Sequence, residues 1–361
     1  MDGNEKAYVA ECIDTGWVSS KGQFVERFES MFSALHHDIF SVSTSNGTTA
    51  LHLALVALGI GKGDEVIVPN LTFAATVNAV LYCDATPILI DVDARSWNIT
   101  AQIIEPAITS RTKAIIPVHL YGQPCDMGEL QQLADKHDLL LIEDSAEALG
   151  STYQGHPVGT FGDASIFSFF GNKTITTGEG GMVLFKDGQV AAKARVLHDH
   201  GMKPGQRYWH EMVGYNYRLT NVQAAIGVAQ LEKLTQLVKA KQIVASRYKD
   251  SFVDLNIQAQ EQLIDSVSSS WLCSFLLKDR MERDSLISYL TNKGIVTRIF
   301  FYPMHILPPY LELRRSGSLR SSEELASRGI CLPSSASLSV SDQNYVIEQM
   351  ISGLGEIRKT V

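Results

Sequence analysis

Residues 165–185, SIFSFFGNKTITTGEGGMVLF, decide the fold class and contain the residue on which the chemistry depends. The apolar run 165–170 predicts a strand, and residues 182–185 predict a second strand after a glycine-rich turn. Because glycine lets the main chain turn sharply, Lys173 is held on this turn between apolar segments. A lysine kept from water has a lowered pKa and becomes an amine nucleophile. A solvated loop lysine is the commoner case, so Lys173 alone identifies no site.

An acidic residue ends the strand that precedes this stretch. The run LLLI at 139–142 leads into Glu143 and Asp144, which places Asp144 at the carboxyl end of a buried strand. Open α/β sheets bind ligands along that edge, and a carboxylate there is costly unless a cation pairs with it. A protonated ring nitrogen is one candidate partner, and a helix-cap or turn aspartate is the alternative interpretation.

The third signal is the segment SNGTT at 45–49, which opens an amphipathic helix. Small hydroxylated residues at a helix N-terminus leave free amides for an anion, although capping by Ser45 or Asn46 explains them equally well. An anion site, an acid at a strand end and a glycine-flanked lysine are the three parts that a pyridoxal phosphate site requires. Together they predict this cofactor, with Lys173 as the amine that bonds its aldehyde carbon.

Helical and strand patterns alternate from about residue 40 to residue 150, and the strands are continuous apolar runs. This predicts an α/β fold with a mostly parallel central sheet that helices cover on both faces. After Gly214 a long helical stretch, Asn221 to about Asp250, leads into less regular structure. We place a boundary near residue 235, between a large cofactor-binding domain with an N-terminal segment, 1–235, and a small α+β domain, 236–361. The predicted helices are 5–14, 48–58, 73–81 and 127–137, and the predicted strands outside the opening stretch are 65–69, 87–91, 114–118, 139–142, 271–277 and 296–300.

Composition argues against several classes of partner. A net charge of -8 over 361 residues disfavours a nucleic-acid partner, which requires concentrated Lys and Arg. The five cysteines form no C-x-x-C pair, so neither a metal site nor a disulfide framework is expected. No apolar run reaches the roughly 20 residues of a membrane helix, and the N-terminus has no secretory pattern. These features predict a cytoplasmic protein with no membrane partner.

Nine segments spread along the chain carry a resemblance to a known family. The segments are GNE at 3–5, DTGWVSSKG at 14–22, SNGTTALHLAL at 45–55, VHLYGQPCDM at 118–127, IEDSAEALGS at 142–151, GTFGD at 159–163, SFFGNKTITTGEGGM at 168–182, YWHEMVGYNYRLTNVQAAIG at 208–227 and FYPMH at 301–305. They resemble the DegT/DnrJ/EryC1 family of sugar aminotransferases over essentially the whole chain, and most closely its GDP-perosamine synthase branch. A dehydratase branch of the same fold carries histidine at the position of Lys173, which argues against that reaction.

The resemblance implies a type I aminotransferase fold and a homodimer whose active sites lie at the subunit interface. It assigns the covalent bond to Lys173, the pyridine nitrogen to Asp144 and the ring hydroxyl to Glu147, a position where the family often has Gln or His. Phe73 would stack on one face of the ring, and Ala146 would pack on the other. The residues it assigns to the phosphate are Gly47, Thr48, Ser168 and, from the neighbouring subunit, Asn216.

The resemblance also implies the reaction. An amino group passes from L-glutamate, which leaves as 2-oxoglutarate, to a nucleotide-linked 4-keto-6-deoxy sugar, here GDP-4-keto-6-deoxymannose. The alternatives are a relative that acts on a UDP- or dTDP-linked 4-keto sugar or an 8-keto octulosonate, and a regulatory member without turnover. For the glutamate carboxylate Arg218 is the first candidate and Arg298 the second, because arginine suits carboxylates and phosphates. The residues it assigns to substrate are Trp17, Ser19, His119, Tyr121, Arg218 and His305, with His210 and Arg298 as further candidates.

Overall fold

Residues 1–360, which the computed structural model describes, form one large sheet and two small ones. In chain order the strands are β1 (Phe40–Thr44), β2 (Glu65–Pro69), β3 (Thr86–Ile90), β4 (Thr112–Ile115), β5 (Leu140–Asp144), β6 (Thr152–Tyr153), β7 (His156–Pro157), β8 (Ala164–Ser168), β9 (Gly181–Phe185), β10 (Gln258–Ala259), β11 (Ser266–Val267), β12 (Cys273–Leu276), β13 (Arg298–Ile299), β14 (Arg314–Ser316) and β15 (Gly329–Leu332). The large sheet has the order β1-β9-β8-β5-β4-β2-β3-β14.

The large sheet confirms the predicted α/β class. Strands β14, β3, β2, β4, β5 and β8 run parallel to one another, whereas β9 is antiparallel to both β8 and β1. Every residue of β2 is buried, as expected for a continuous apolar strand covered on both faces. The edge is antiparallel because β8 and β9 are joined directly by the turn that carries Lys173, without a crossover helix.

Helices cover the large sheet and pack around the C-terminal strands. They are α1 (Glu5–Asp14), α2 (Gln23–Leu35), α3 (Gly47–Ala57), α4 (Ala74–Tyr82), α5 (Ala101–Ile104), α6 (Met127–His137), α7 (Gly188–His198), α8 (Asn221–Leu231), α9 (Leu234–Ser251), α10 (Arg280–Asn292), α11 (Arg320–Arg328) and α12 (Val340–Thr360). Helix α3 is largely buried because it lies between strands β8 and β9 and helices α4 and α7. Within residues 1–360 no helix combines the length and the apolar character that a membrane span requires.

Two predicted elements are corrected by the structure. The helical stretch from Asn221 to about Asp250 is two helices, α8 and α9, which are separated at Glu232 and Lys233. The chain bends there because α8 packs against α1 and α2, whereas α9 packs against β12 and α12. Helix α4 begins at Ala74, so Phe73 precedes it with extended backbone angles.

The C-terminal part of the chain builds a second, antiparallel sheet in the order β10-β12-β15-β13. Strand β14 does not join it but returns to the large sheet beside β3, where Arg314 donates to the buried carboxylate of Glu65 at 2.5 Å. The division near residue 235 stays a prediction, and the last residue of the proposed small domain, 361, lies outside the described residues.

Candidate active site

Three of the predicted cofactor residues lie together at the carboxyl edge of the large sheet. Strand β5 ends with Asp144 and β8 ends with Ser168, and α3 begins at Gly47 beside them. Asp144 pairs with Ile166 of β8 on one side and bridges to Val118 on the other. Acid and helix N-terminus therefore lie together at the edge where open α/β sheets bind their ligands.

Asp144 is buried and has only neutral donors. The hydroxyl of Thr76 donates to its Oδ2 at 2.8 Å, and the amide of Ala146 donates to its Oδ1 at 3.2 Å. Burial raises the pKa of Asp144 even though both hydrogen bonds favour the ionised form. Asp144 forms no ion pair with any residue in 1–360. A protonated ring nitrogen beside it would supply the missing positive charge.

Lys173 points into the same site from the turn after β8. Its amide donates to the carbonyl of Phe170 at 2.9 Å, and its Nζ lies 3.9 Å from Oε1 of Glu147. Burial lowers the pKa of Lys173, while the charges of Glu147 and Asp144 oppose that shift. The prediction of a desolvated amine near two acids therefore agrees with the geometry, and the amine is suited to bond an aldehyde carbon.

Glu147 faces Lys173 with one oxygen and the protein with the other. Its Oε2 accepts a hydrogen bond from the amide of Tyr121 at 2.8 Å, which leaves Oε1 turned toward the amine. Burial raises the pKa of Glu147 to about 7, and the charge of Asp144 adds to this. Near neutral pH the carboxyl is therefore about half protonated, and in its protonated form it can donate to a ring hydroxyl oxygen as an amide side chain would.

The first turn of α3 is the segment for which an anion site is predicted. Asn46 is the N-cap, and its side chain accepts from the amide of Thr49 at 2.9 Å. The amides of Gly47 and Thr48, the first two residues of the helix, have no acceptor within the helix. A Cβ at Gly47 would stand 2.9 Å from Cβ of Ser168, so glycine lets the helix end approach this strand end. Capping therefore leaves these two amides available for an anion, because Asn46 satisfies the amide of Thr49.

Phe73 and Ala146 could bracket a flat ring. Phe73 is 57% exposed, and the ring that contacts it belongs to Phe301, with centroids 5.7 Å apart. Such exposure is unusual for an aromatic side chain that serves only to fill the core. Ala146 is partly buried beside the acid-bearing strand end. The stacking roles of Phe73 and Ala146 stay predictions.

His119 lies in the core and not at the site opening. It has no exposed surface, and its Nδ1 accepts from the amide of Cys125 at 3.0 Å. Its Nε2 therefore carries the proton and donates to Oε2 of Glu143 at 3.1 Å. With both ring nitrogens bonded to protein, His119 cannot bind substrate, and we correct that prediction.

Tyr121 and His305 are also committed to protein contacts. Tyr121 is buried, and its hydroxyl accepts from the amide of Phe301 at 3.3 Å. The Nδ1 of His305 lies 3.1 Å from Oδ1 of Asn70, and its Nε2 lies 2.9 Å from Oε1 of Glu323. The polar side-chain atoms of both residues contact protein groups, so substrate roles for Tyr121 and His305 stay predictions.

Trp17 and Ser19 lie on the loop between α1 and α2. Both are exposed, and Trp17 is 57% exposed. Asn221, the first residue of α8, holds this loop, because its amide donates to the carbonyl of Ser19 at 2.6 Å and its side chain donates to that of Trp17 at 2.7 Å. The loop is thus anchored through its main chain while both side chains stay available.

The predicted arginines differ in their partners. Arg218 forms an ion pair with Asp199 at 2.6 Å and donates to the side chain of exposed Asn216 at 3.0 Å. Arg298 on β13 is exposed and forms no ion pair with residues 1–360. His210 is exposed, and its Nδ1 lies 2.9 Å from the carbonyl of His200. Arg298 is therefore the freer cation for a carboxylate.

A cleft of about 690 Å³ opens beside Lys173. Its lining includes Lys173, Trp271 and Arg298, so a small molecule in the cleft can reach the amine. Sequence reasoning missed Trp271 because it comes from a distant segment with no motif. It also missed Thr76, although a hydroxyl one turn beyond Phe73 in the same helix region was a usable signal.

The residues present fit pyridoxal phosphate. A buried acid without a cation can pair with the ring nitrogen, and the free amides of α3 can bind the phosphate. A desolvated amine lies between the acid and the cleft. Within residues 1–360 no group of three or more His, Cys, Asp or Glu side chains could hold a metal ion.

Known proteins share both the sequence and the fold. The DegT/DnrJ/EryC1/StrS aminotransferase family model matches residues 1–351. The chain is 47% identical to GDP-perosamine synthase of Escherichia coli O157:H7, over 97% of this chain and 95% of that one. It is 46% identical to GDP-perosamine synthase of Caulobacter vibrioides, over 99% and 96%. DesV of S. venezuelae, solved in complex with a ketimine intermediate, superposes with a TM-score of 0.92 at 34% identity, over 97% and 94% of the two chains. The chain therefore belongs to the DegT/DnrJ/EryC1/StrS family and is a pyridoxal-phosphate-dependent sugar aminotransferase.

Proposed function

We propose that this enzyme transfers an amino group from L-glutamate to GDP-4-keto-6-deoxymannose and releases the 4-amino sugar GDP-perosamine and 2-oxoglutarate. The observation that carries the proposal is the joint placement of Lys173, Glu147 and Asp144 at one sheet edge, in a chain so similar to two GDP-perosamine synthases. A cytoplasmic location goes with this proposal and stays a prediction.

Each residue has a defined task in this proposal. Bound pyridoxal phosphate supplies an electron sink for charge that develops on the reacting carbon. Asp144 keeps the ring nitrogen protonated, and Glu147 donates to the ring hydroxyl oxygen. When its Nζ is free, Lys173 removes the proton from the α-carbon of the amino donor and later returns a proton to the sugar C4. Burial of this lysine favours its neutral form, which is the form that accepts a proton.

For the donor carboxylate we propose Arg298 in preference to Arg218. Arg298 is exposed at the cleft beside Lys173, whereas the guanidinium of Arg218 is paired with Asp199. An unpaired guanidinium can bind a carboxylate through two parallel hydrogen bonds. Arg298→Lys should therefore raise the KM for glutamate by about tenfold, with a smaller change in the KM for the sugar nucleotide.

We also propose a homodimer in which each subunit completes the other's site. The loop that leads to Asn216 exposes large apolar side chains, among them Tyr208 at 72% and Val213 at 92%. Exposed apolar surface of this kind is typical of an interface. In the proposal Asn216 reaches the cofactor phosphate of the partner. Mixing Lys173→Ala with Asn216→Ala subunits should restore up to about a quarter of the activity, because one site in a mixed dimer then has both native residues.

The substrate is tested with a panel of nucleotide keto sugars and glutamate, scored by the amino sugar formed. The panel contains GDP-4-keto-6-deoxymannose, UDP- and dTDP-linked 4-keto-6-deoxy sugars and an 8-keto octulosonate. The proposal requires the GDP sugar to have the highest kcat/KM. Faster turnover of another sugar would reassign the substrate but keep the reaction, and no turnover of any sugar would favour a regulatory member of the family.

A further inference from the structure

The indole of Trp271 lies directly against the amine of Lys173. The Nζ of Lys173 stands 3.9 Å from the centroid of the indole ring, well within the roughly 6 Å at which a cation and an aromatic face attract. Trp271 is 3% exposed, and the side chain of Lys173 is 14% exposed. The contact is therefore mostly buried at the edge of the cleft, and partial removal of water strengthens such an attraction.

Hydrogen bonds hold both ends of Trp271, its indole ring and its main chain. Its Nε1 donates to the carbonyl of Asn172 at 2.8 Å, so the indole is tied to the turn that carries Lys173. At the other end, the carbonyl of Trp271 accepts from Nζ of Lys241 at 3.2 Å, and the same Nζ donates to the carbonyl of Ser334 at 2.8 Å. Lys241 is 6% exposed, so these carbonyls are its main compensation for burial.

Three charged groups also act on Lys173. Glu147 lies 3.9 Å away, Asp144 is further off but attracts the ammonium, and Arg298 repels it. Glu147 has a pKa of about 7, so near neutral pH only about half of its carboxyl groups are ionised. The indole face is thus a contact with the amine that does not titrate.

We propose that Trp271 is a positioning residue, whose indole face holds the Lys173 ammonium beside Glu147 whenever that amine is not bonded to the cofactor. The inference rests on the proposed role of Lys173. A π face attracts the ammonium and not the neutral amine, so the ring restrains the side chain and favours its charged form. The ring therefore fixes the position of the ammonium, and the amine reacts from that position after it has lost its proton.

The first test measures Lys173 in the full-length enzyme freed of cofactor. A small acylating reagent enters the cleft, and mass spectrometry of the peptide that contains residue 173 gives the rate of acylation against pH. Compared with the native chain, Trp271→Phe should lower the pKa of Lys173 and Trp271→Leu should lower it further, by about half to one pH unit in total. An unchanged profile in a folded Trp271→Leu protein would overturn the proposal.

Fluorinated tryptophan separates the ring face from the shape of the residue. Fluorine withdraws electron density from the ring but nearly preserves the indole N–H and the size of the side chain. The pKa of Lys173 should therefore fall stepwise as the number of fluorine atoms on the ring increases from zero to one to two. The chain has four tryptophans, and Trp271→Phe grown on the same fluorinated amino acids corrects for the other three. Equal shifts in both backgrounds would contradict the proposal.

A third measurement keeps the two proposals apart. Adding pyridoxal phosphate and then borohydride to the same variants shows whether Lys173 bonds the cofactor at all. Trapping at Lys173 together with unchanged acylation profiles refutes the role of Trp271 alone. Trapping at another lysine refutes the assignment of Lys173, whatever the profiles show. In the loaded enzyme the pH dependence of the half-reaction with glutamate should shift in the same direction as the acylation profile.

Discussion

Glu143 and Asp144 are consecutive on β5, and their side chains point to opposite faces of the sheet. Both are buried, yet their hydrogen bonding differs. Glu143 accepts from His119 and from the amides of Gly159, Phe161 and Gly162, all within 2.7 to 3.1 Å. Burial opposes its ionisation, but these donors outweigh burial and lower its pKa. We call Glu143, His119 and the three amides the closed cluster.

On the other face, Asp144, Glu147 and Lys173 form what we call the open cluster. Burial is the dominant influence on all three, and it raises the pKa of both acids and lowers that of the lysine. Asp144 accepts two hydrogen bonds and Glu147 accepts one, whereas Glu143 accepts four. The comparison teaches that saturation of hydrogen bonds, and not burial or sequence position, separates a structural acid from a functional one.

Removing the amine of the open cluster should have the largest effect. Lys173→Ala is expected to lower kcat by about 10⁴-fold or more, because the covalent partner and the proton carrier are lost together. The variant should fold and still bind pyridoxal phosphate, but without the visible absorbance band of the lysine-bound cofactor. Activity and absorbance spectra check this.

The matched control is Lys113→Ala, which removes an exposed lysine from strand β4 of the same sheet. It should retain the activity and the spectrum of the native enzyme. Turnover at the native rate in Lys173→Ala would refute the assignment of Lys173 as the catalyst. The open cluster could then no longer be called the functional one.

Exchanging the neighbouring acids for their amides should separate the clusters. In Asp144→Asn the amide nitrogen can face Thr76, whose hydroxyl can accept, so the unfolding free energy of the cofactor-free protein should change by less than about 1 kcal/mol. Activity should fall by roughly 10² to 10³-fold, because an amide cannot hold the proton on the ring nitrogen. Urea unfolding and steady-state kinetics measure the two effects.

Glu143→Gln should do the reverse. Each oxygen of Glu143 accepts two donors, so an amide nitrogen in either place would face two N–H groups. We expect a loss of about 2 to 4 kcal/mol in the free energy of unfolding. If Glu143→Gln had the same free energy of unfolding as the native chain, the closed cluster would not be a source of stability.

The sequence predicted the central fold well where the pattern is local. Strand β2 and helix α6 have the predicted bounds, because a continuous apolar run and an N-cap with basic residues in the last turn are local signals. The break between α8 and α9 was missed, because it depends on two distant packing partners that no local pattern reveals.

The site was predictable to the extent that its motifs are contiguous. Asp144 and Lys173 were found through strand ends and a glycine turn, and both lie where that reasoning put them. His119 was misassigned because a single sequence does not tell whether both ring nitrogens are bonded in the core. Trp271 escaped because its contact with Lys173 joins segments nearly a hundred residues apart.

Glu147→Gln tests how the burial of an acid in the open cluster makes stability depend on pH. The folded pKa of Glu147 is about 7, against 4.5 for a free side chain. Because the folded pKa is raised, this group's contribution to stability is fully present below pH 4.5 and is lost as pH rises through 7. The native cofactor-free protein should therefore lose up to about 3 kcal/mol of unfolding free energy between pH 5 and pH 8 that the variant does not lose.

Urea unfolding across that range measures the difference, with Glu179→Gln as the control at an exposed glutamate. The control should follow the native protein. Activity at pH 7 should stay within about threefold in Glu147→Gln, since glutamine keeps a neutral donor toward the ring hydroxyl. A large loss of activity at pH 7 would show that the ionised carboxylate is required.

The smallest effect is expected from the single hydroxyl that donates to Asp144. Thr76→Val keeps the shape but removes the 2.8 Å hydrogen bond to Oδ2, and this bond opposes the rise that burial causes in the pKa of Asp144. The pKa should therefore rise further, the acid limb of the kcat/KM profile should move to higher pH, and activity at neutral pH should fall by about threefold at most. Thr72→Val is the control, because Thr72 contacts the hydroxyl of Thr76 at 2.9 Å and leaves its bond to Asp144 in place. If both variants shifted the profile equally, Thr72 would also act on Asp144. The open cluster would then include Thr72, and the hydrogen bond from Thr76 alone would not set the pKa of Asp144.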